Sequence, residues 1–222
     1  MIQHKRIDLF YYLNLYNYLD KKGTETIING ATLQINMELN EDKKNFRVAI
    51  IGRSSSGKTT LIEELKNKGY KTIDETAREV LEERKNFNVT LEENLIRQKE
   101  IYFRQLEREN KAQGQFFCDR GLIDILVYTE YFGLSNSFID KRLLKNRYSL
   151  ILELEKRPFI LDNIRIEKDE READKIYQKV IEKYLDLGYS LISVPNFCEE
   201  RKNNAKIRVD YIINILEEKN KI

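Results

Sequence analysis

The amino-acid sequence predicts an α/β fold, a parallel five-stranded sheet with helices on both faces, preceded by a short N-terminal appendage. Three observations carry this. From Phe46 onward, short β-rich apolar runs bounded by turn residues alternate with stretches of helical periodicity. Glycines at 69, 133 and 188 stand where helices end. The first apolar run leads directly into a glycine-rich turn that opens an apolar helix, as parallel strand connections require.

The elements follow in order. In residues 1 to 45, Ile7, Phe10, Tyr11, Leu13, Leu15, Tyr18 and Leu19 suggest an amphipathic helix ended by Lys21-Lys22-Gly23, and residues 32 to 39 alternate weakly as a strand would. The polar run 40 to 45 is a connector, which makes 1 to 45 an appendage and 46 to 222 the main domain. Strands are expected at 46–51, 71–74, 115–118, 150–154 and 189–194. Helices are expected at 59–68, 77–87, 91–111, 122–132, 137–147, 168–187 and 199–219, and Thr90 with Glu93 forms a capping box for the third.

Composition narrows the chemistry. A chain of 222 residues with 41% hydrophobic residues has the material for a real core. Lys and Arg number 39 against 37 Asp and Glu, a net charge of +2, so no uniform field points at nucleic acid or an acidic membrane. The two cysteines, Cys118 and Cys198, have no Cys or His neighbours, which argues against zinc ribbons and disulfide scaffolds and fits a reducing cytoplasm. A single histidine, His4, disfavours His-based triads, so catalysis falls to carboxylates, Lys, Arg and hydroxyls. No apolar run is long enough to span a membrane, and the N-terminus has no secretory signal, so a cytoplasmic location is expected.

The most specific motif is Gly52-Arg-Ser-Ser-Ser-Gly57-Lys58-Thr59, a full GxxxxGK[ST] match after a strand and before a helix. In that context the loop amides of residues 52 to 60, with Ser54, Ser55, Ser56 and Thr60 among them, cradle phosphates. Gly52 and Gly57 permit the tight turn, Lys58 reaches the β and γ phosphates, and the Thr59 hydroxyl is a Mg²⁺ ligand. The third strand delivers Asp119 to the C-terminal sheet edge, where it either joins Thr59 at Mg²⁺ or caps the next helix. Arg120 follows where ring ATPases usually carry a water-activating Glu, which favours phosphoryl transfer over hydrolysis. Glu75, after strand two, is a candidate base, metal ligand or helix-dipole partner, with Arg78 one turn on to hold an anion. Arg157, Arg165 and Arg171, between strand four and the long helix beyond, are candidates to neutralise transition-state charge.

These segments resemble a family. "VAIIGRSSSGKTTLIEELKNKGYKTIDETAREVLEE", "FFCDRGLIDILVY" and "DNIRIEKDEREADKIYQKVIEKYLDLGYSLISVP" are similar to the AAA-domain-like P-loop family of predicted ATPases and kinases, relatives of nucleoside and ribosylnicotinamide kinases, over about residues 46 to 217. The resemblance implies a three-layer P-loop fold with strand order 2-3-1-4-5, Mg-ATP as donor, and an adenine near the Pro195-Asn196 loop. The expectation is therefore a Mg-ATP-dependent kinase acting on a small, nucleoside- or nucleotide-like acceptor. The alternative is a nucleotide-operated ATPase switch in which residues 1 to 45 dock a protein partner or a second copy. A nucleic-acid end kinase is disfavoured by the charge balance, and GTP by the lack of an [NT]KxD motif after strand four.

Overall fold

The computed structural model describes residues 45–84, 90–160 and 167–220. The helix and strand expected before Asn45, and Arg165, lie outside them. In chain order the elements are β1 (Phe46–Ile51), α1 (Lys58–Asn67), β2 (Lys71–Ile73), α2 (Thr76–Arg84), α3 (Leu91–Lys111), β3 (Gln115–Asp119), α4 (Leu122–Tyr131), β4 (Leu150–Leu154), α5 (Glu170–Asp186), β5 (Leu191–Val194) and α6 (Arg201–Asn220).

All strand pairings are parallel and the order is β2-β3-β1-β4-β5, as the resemblance implies. β1 is central and buried along almost its whole length, so it reads as a continuous Val-Ala-Ile-Ile run without alternation. One face of the sheet, with Val48, Ile50 and Phe117, packs on Leu61, Ile62 and Leu65 of α1 and on Val209 and Ile212 of α6. Elsewhere α3, α4 and α5 pack in succession, with Ile101, Leu126 and Val180 among their buried residues. Thr90 caps α3 through the expected reciprocal box with Glu93. The φ values of Gly69, Gly133 and Gly188 are 86°, 67° and 87°, the left-handed helix ends expected there.

One expected helix does not form. Residues 137–147 make only a short 3₁₀ turn at Lys141–Leu143, with the Asp140 carboxylate accepting from the Arg142 amide. The reason lies in the spacing: the buried pairs Phe138-Ile139 and Leu143-Leu144 are five residues apart, about 140° around a helix, so no single helical face could bury both. The chain instead turns, and the Asp140 amide donates to the Tyr102 hydroxyl at 3.2 Å.

The registers bring the functional segments together. β1, β2 and β3 run in parallel, with Ile50 beside Asp119 and Ile73 beside Cys118, so the loops after all three open at one edge of the sheet. Among the described residues no helix is long and apolar enough to cross a membrane.

Candidate active site

The loop between β1 and α1 wraps into an anion cradle. Gly57 is the N-cap of α1 with φ 92°, a left-handed conformation that favours glycine, and Ser55 also has a positive φ of 73°. A Cβ on Gly52 would lie 2.6 Å from Ser56 Oγ and 3.2 Å from Leu154 Cβ, so this position must lack one. Lys58 is buried, and its Nζ donates to the carbonyls of Gly52 at 2.8 Å and Arg53 at 3.1 Å, which folds the ammonium over the loop. Burial and the nearby charge of Arg120 lower its pKa to about 8, so an arriving polyphosphate would strengthen its hold on the proton.

Across the loop, Thr59 Oγ1 donates to Asp119 Oδ2 at 3.4 Å. Asp119 is buried at the end of β3, and its other oxygen, Oδ1, has no hydrogen-bond partner. Burial and the neighbouring Glu75 charge raise its pKa to about 7. A hydroxyl and a carboxylate at one sheet edge, one acceptor atom unused, fit Mg²⁺ completed by phosphate oxygens and water. No group of three or more His, Cys, Asp or Glu side chains forms a metal cage among the described residues.

The second carboxylate faces its own counter-charge. Arg120 Nε donates to Glu75 Oε1 at 2.7 Å, Arg120 Nη1 reaches Asp124 Oδ1 at 3.3 Å, and the guanidinium lies 5.5 Å from the centroid of the Tyr128 ring. Arg120 itself has φ 68°, an unusual conformation for a non-glycine that turns its side chain toward the cleft. Burial alone would raise the Glu75 pKa, but the charges of Arg120 and Lys58 outweigh it and hold the carboxyl below the ordinary range.

These groups line a cleft of about 520 Å³ that runs from the phosphate loop to α2, α3 and α4. Of the residues singled out from sequence, Ser54, Ser55, Gly57, Lys58, Thr59, Thr60, Glu75, Arg78 and Arg120 line it. Gly52 and Ser56 are buried in the loop that shapes it, and Asp119 lies beneath it. Arg171 is exposed and lines a separate shallow depression with Lys156 and Asp174. Arg157 turns toward the carbonyl of Cys198, its Nη1 at 3.2 Å, so the segment after β4 does not present it to the cleft.

That segment presents acids instead. Glu167 Oε1 accepts from Ser54 Oγ at 2.7 Å and from the Tyr128 hydroxyl at 2.6 Å, and Arg53 Nη1 donates to Glu170 at 2.7 Å and Asp174 at 2.9 Å. Arg208 of α6, 1% exposed, donates to the carbonyls of Ser56 at 2.7 Å, Pro195 at 3.0 Å and Glu155 at 3.1 Å. Sequence reading missed Glu167, Tyr128, Arg97 and Arg208. Polar residues at 97, 98, 105 and 109 on the buried side of an otherwise amphipathic α3 were the one signal available for Arg97.

A protein family described as an AAA domain matches residues 47–201. No curated protein matches the sequence. Among solved structures, the deoxyadenosine kinase from M. mycoides with the products dCMP and dCDP bound is 15% identical with a TM-score of 0.52, over 78% of this chain and 99% of that one. The same kinase with dATP bound has a TM-score of 0.51 at 17% identity, over 78% of this chain and all of that one (100%). The NadR protein in complex with NR has a TM-score of 0.56 at 17% identity, over 92% of this chain and 66% of that one. At such identities the likeness is one of fold.

Proposed function

The chain belongs to the AAA-domain family that matches its residues 47–201, a P-loop fold of the kinase and ATPase kind, and from that membership and the cleft geometry we propose that it is a Mg-ATP-dependent phosphotransferase acting on a small, nucleoside- or nucleotide-like acceptor. The observation that carries this is the Glu75–Arg120 pair, 2.7 Å apart in the wall of the same cleft as Lys58. An arginine there binds a phosphate or an acceptor anion and has no capacity to activate water.

The loop amides and Lys58 bind the donor phosphates, and Thr59 and Asp119 would hold Mg²⁺, which would supply charge neutralisation for the transferring phosphoryl group. When Arg120 turns from Glu75 to the polyphosphate, the Glu75 carboxylate loses its counter-charge and becomes a stronger base. The acceptor oxygen bonds to the γ phosphorus as the bond from that phosphorus to the β,γ-bridging oxygen breaks. ADP leaves with the electron pair, and a hydroxyl acceptor passes its proton to Glu75. The adenine rests by the Pro195-Asn196 loop, which Arg208 ties to the phosphate loop. The test is ADP formation with and without acceptor pools: phosphate release that is fast without any acceptor overturns the kinase reading.

A nucleotide-operated switch is the second reading. The tether from Arg53 to Glu170 and Asp174 favours it, because nucleotide binding at the loop would then pull directly on α5. Residues 1 to 45 are proposed as the docking element in that case.

A further inference from the structure

The helix α3 carries a fully buried carboxylate, Glu109, that does not line the cleft. Its Oε2 accepts from Arg147 Nε at 2.5 Å. Burying such a pair costs desolvation on both sides and adds little net stability by itself, so what the pair holds in place matters more. Glu109 Oε1 accepts from two donors, Gln105 Nε2 one turn earlier on α3 at 2.8 Å and the Tyr148 hydroxyl at 3.0 Å. Gln105 Oε1 accepts in turn from the Thr76 hydroxyl at 2.6 Å, and the Tyr148 oxygen from the Leu122 amide at 2.7 Å. Thr76 follows Glu75 and opens α2, while Leu122 stands two residues after Arg120 and opens α4. The 2.7 Å pair of Glu75 and Arg120 therefore closes a ring. Contact is tight on the Arg120 side, where a Cβ on Gly121 would lie 2.6 Å from the Tyr148 hydroxyl oxygen.

We propose that Glu109 is a positioning residue for the transfer, its Oε1 joining the Gln105–Thr76 arm to the Tyr148–Leu122 arm so that Glu75 and Arg120 are held face to face. This rests on the phosphotransferase reading and adds to it residues that never touch the substrate. A carboxylate oxygen has the lone pairs to accept both donors at once. Thr76, Gln105, Glu109 and Tyr148 are all buried, so a link that lengthens leaves a polar group unsatisfied with little water to replace its partner. The Leu122 amide is one of the first-turn donors of α4 that have no partner within the helix, and the Tyr148 oxygen meets it. The ring thus sets the spacing of the segments that follow β2 and β3, and with it the place of the base relative to the guanidinium that holds the anion.

The experiment uses the full chain and the variants Tyr148→Phe and Gln105→Leu, each of which opens one arm while Glu109 keeps Arg147; if one variant fails to fold, the other carries the comparison. Each is combined with Glu75→Gln in a urea-unfolding cycle. Separate sites that share no contact usually add, and neither Tyr148 nor Gln105 bonds to Glu75, so a double variant whose loss of midpoint is clearly smaller than the sum of the singles is the expected result. Acceptor-dependent ADP formation should fall about ten- to a hundred-fold in either variant, with Mg-ATP affinity within a few-fold of the parent, a split that general destabilisation does not produce. Additive losses in both cycles, or transfer at the parental rate in both variants, would overturn the proposal. Failure of the phosphotransferase reading registers separately, as a parent chain that forms no ADP with any acceptor, and the unfolding cycle still decides whether the ring couples the two segments.

Discussion

Arg120 and Glu75 form an ion pair of 2.7 Å in the cleft, although 45 residues separate them in the chain. The pair couples the two proposed roles, because the cation that would hold the reacting phosphates is the same one that suppresses the basicity of the carboxylate. Glu75→Gln should cut acceptor-dependent ADP formation by roughly 10²–10⁴-fold, the usual contribution of a general base, with ATP affinity within a few-fold. Arg120→Ala should weaken acceptor binding and transfer together. Equal, acceptor-independent hydrolysis in the parent and in Glu75→Gln would discard the kinase mechanism.

Lys58→Ala should abolish tight Mg-ATP binding while the fold persists. Lys58 is buried with a lowered pKa, so removing it lifts a desolvation cost as well as its bonds to Gly52 and Arg53. Calorimetric titration beside a melting curve checks this, and an unchanged affinity would rule out the phosphate-loop assignment.

Arg208→Gln should destabilise the protein by about 2–5 kcal/mol, since the carbonyls of Ser56, Pro195 and Glu155 lose buried, charge-assisted donors. ATP affinity should fall as well, because both loops that flank the donor lose their common anchor. Urea denaturation and nucleotide titration measure the two effects, and a variant as stable as the parent would refute the anchor.

Stability should fall in acid through Glu75 and Glu167. Burial would raise the Glu167 pKa, but the Arg120 charge and the hydrogen bonds from Tyr128 and Ser54 hold it down, as Arg120 and Lys58 do for Glu75. Both carboxyls thus bind protons less readily folded than unfolded, so the stabilisation is complete above the ordinary carboxylate pKa of about 4.3 and is lost as pH falls through the lower folded values. The urea midpoint followed downward from about pH 4.3 should decline, and Glu167→Gln should flatten that decline. A parallel decline in the variant would exclude Glu167 as a contributor.

A chain that begins at Lys44 should fold cooperatively and bind Mg-ATP. β1 starts at Phe46, whose amide donates to the Gly114 carbonyl at 3.0 Å, while Asn45 Oδ1 accepts from the Gly114 amide at 2.9 Å. Aggregation or loss of a cooperative melt in that shortened chain would place the aromatic face of residues 7 to 19 in the core.

The sequence by itself determined the α/β class, the five strands and the phosphate loop, because each is written in local order. A buried central strand must be a continuous apolar run, and a loop with φ 92° at Gly57 and no room for a Cβ at Gly52 admits few residues other than glycine. Glu75, Asp119 and Arg120 were legible for a related reason: in a parallel sheet, residues just past the strands share one edge. The missing helix at 137–147 was legible only in retrospect, since hydrophobicity without correct spacing mimics periodicity. What the tertiary structure alone decided is who faces whom. The packing of α5 against α4 brings Glu167 onto Ser54 and Tyr128 and turns acids rather than Arg171 toward the loop, and the packing of α6 against α1 sets Arg208 beneath Ser56. Those contacts join residues more than a hundred positions apart in some cases, such as Ser54 and Glu167, and no local pattern encodes them because their energy comes from burial and charge pairing across elements.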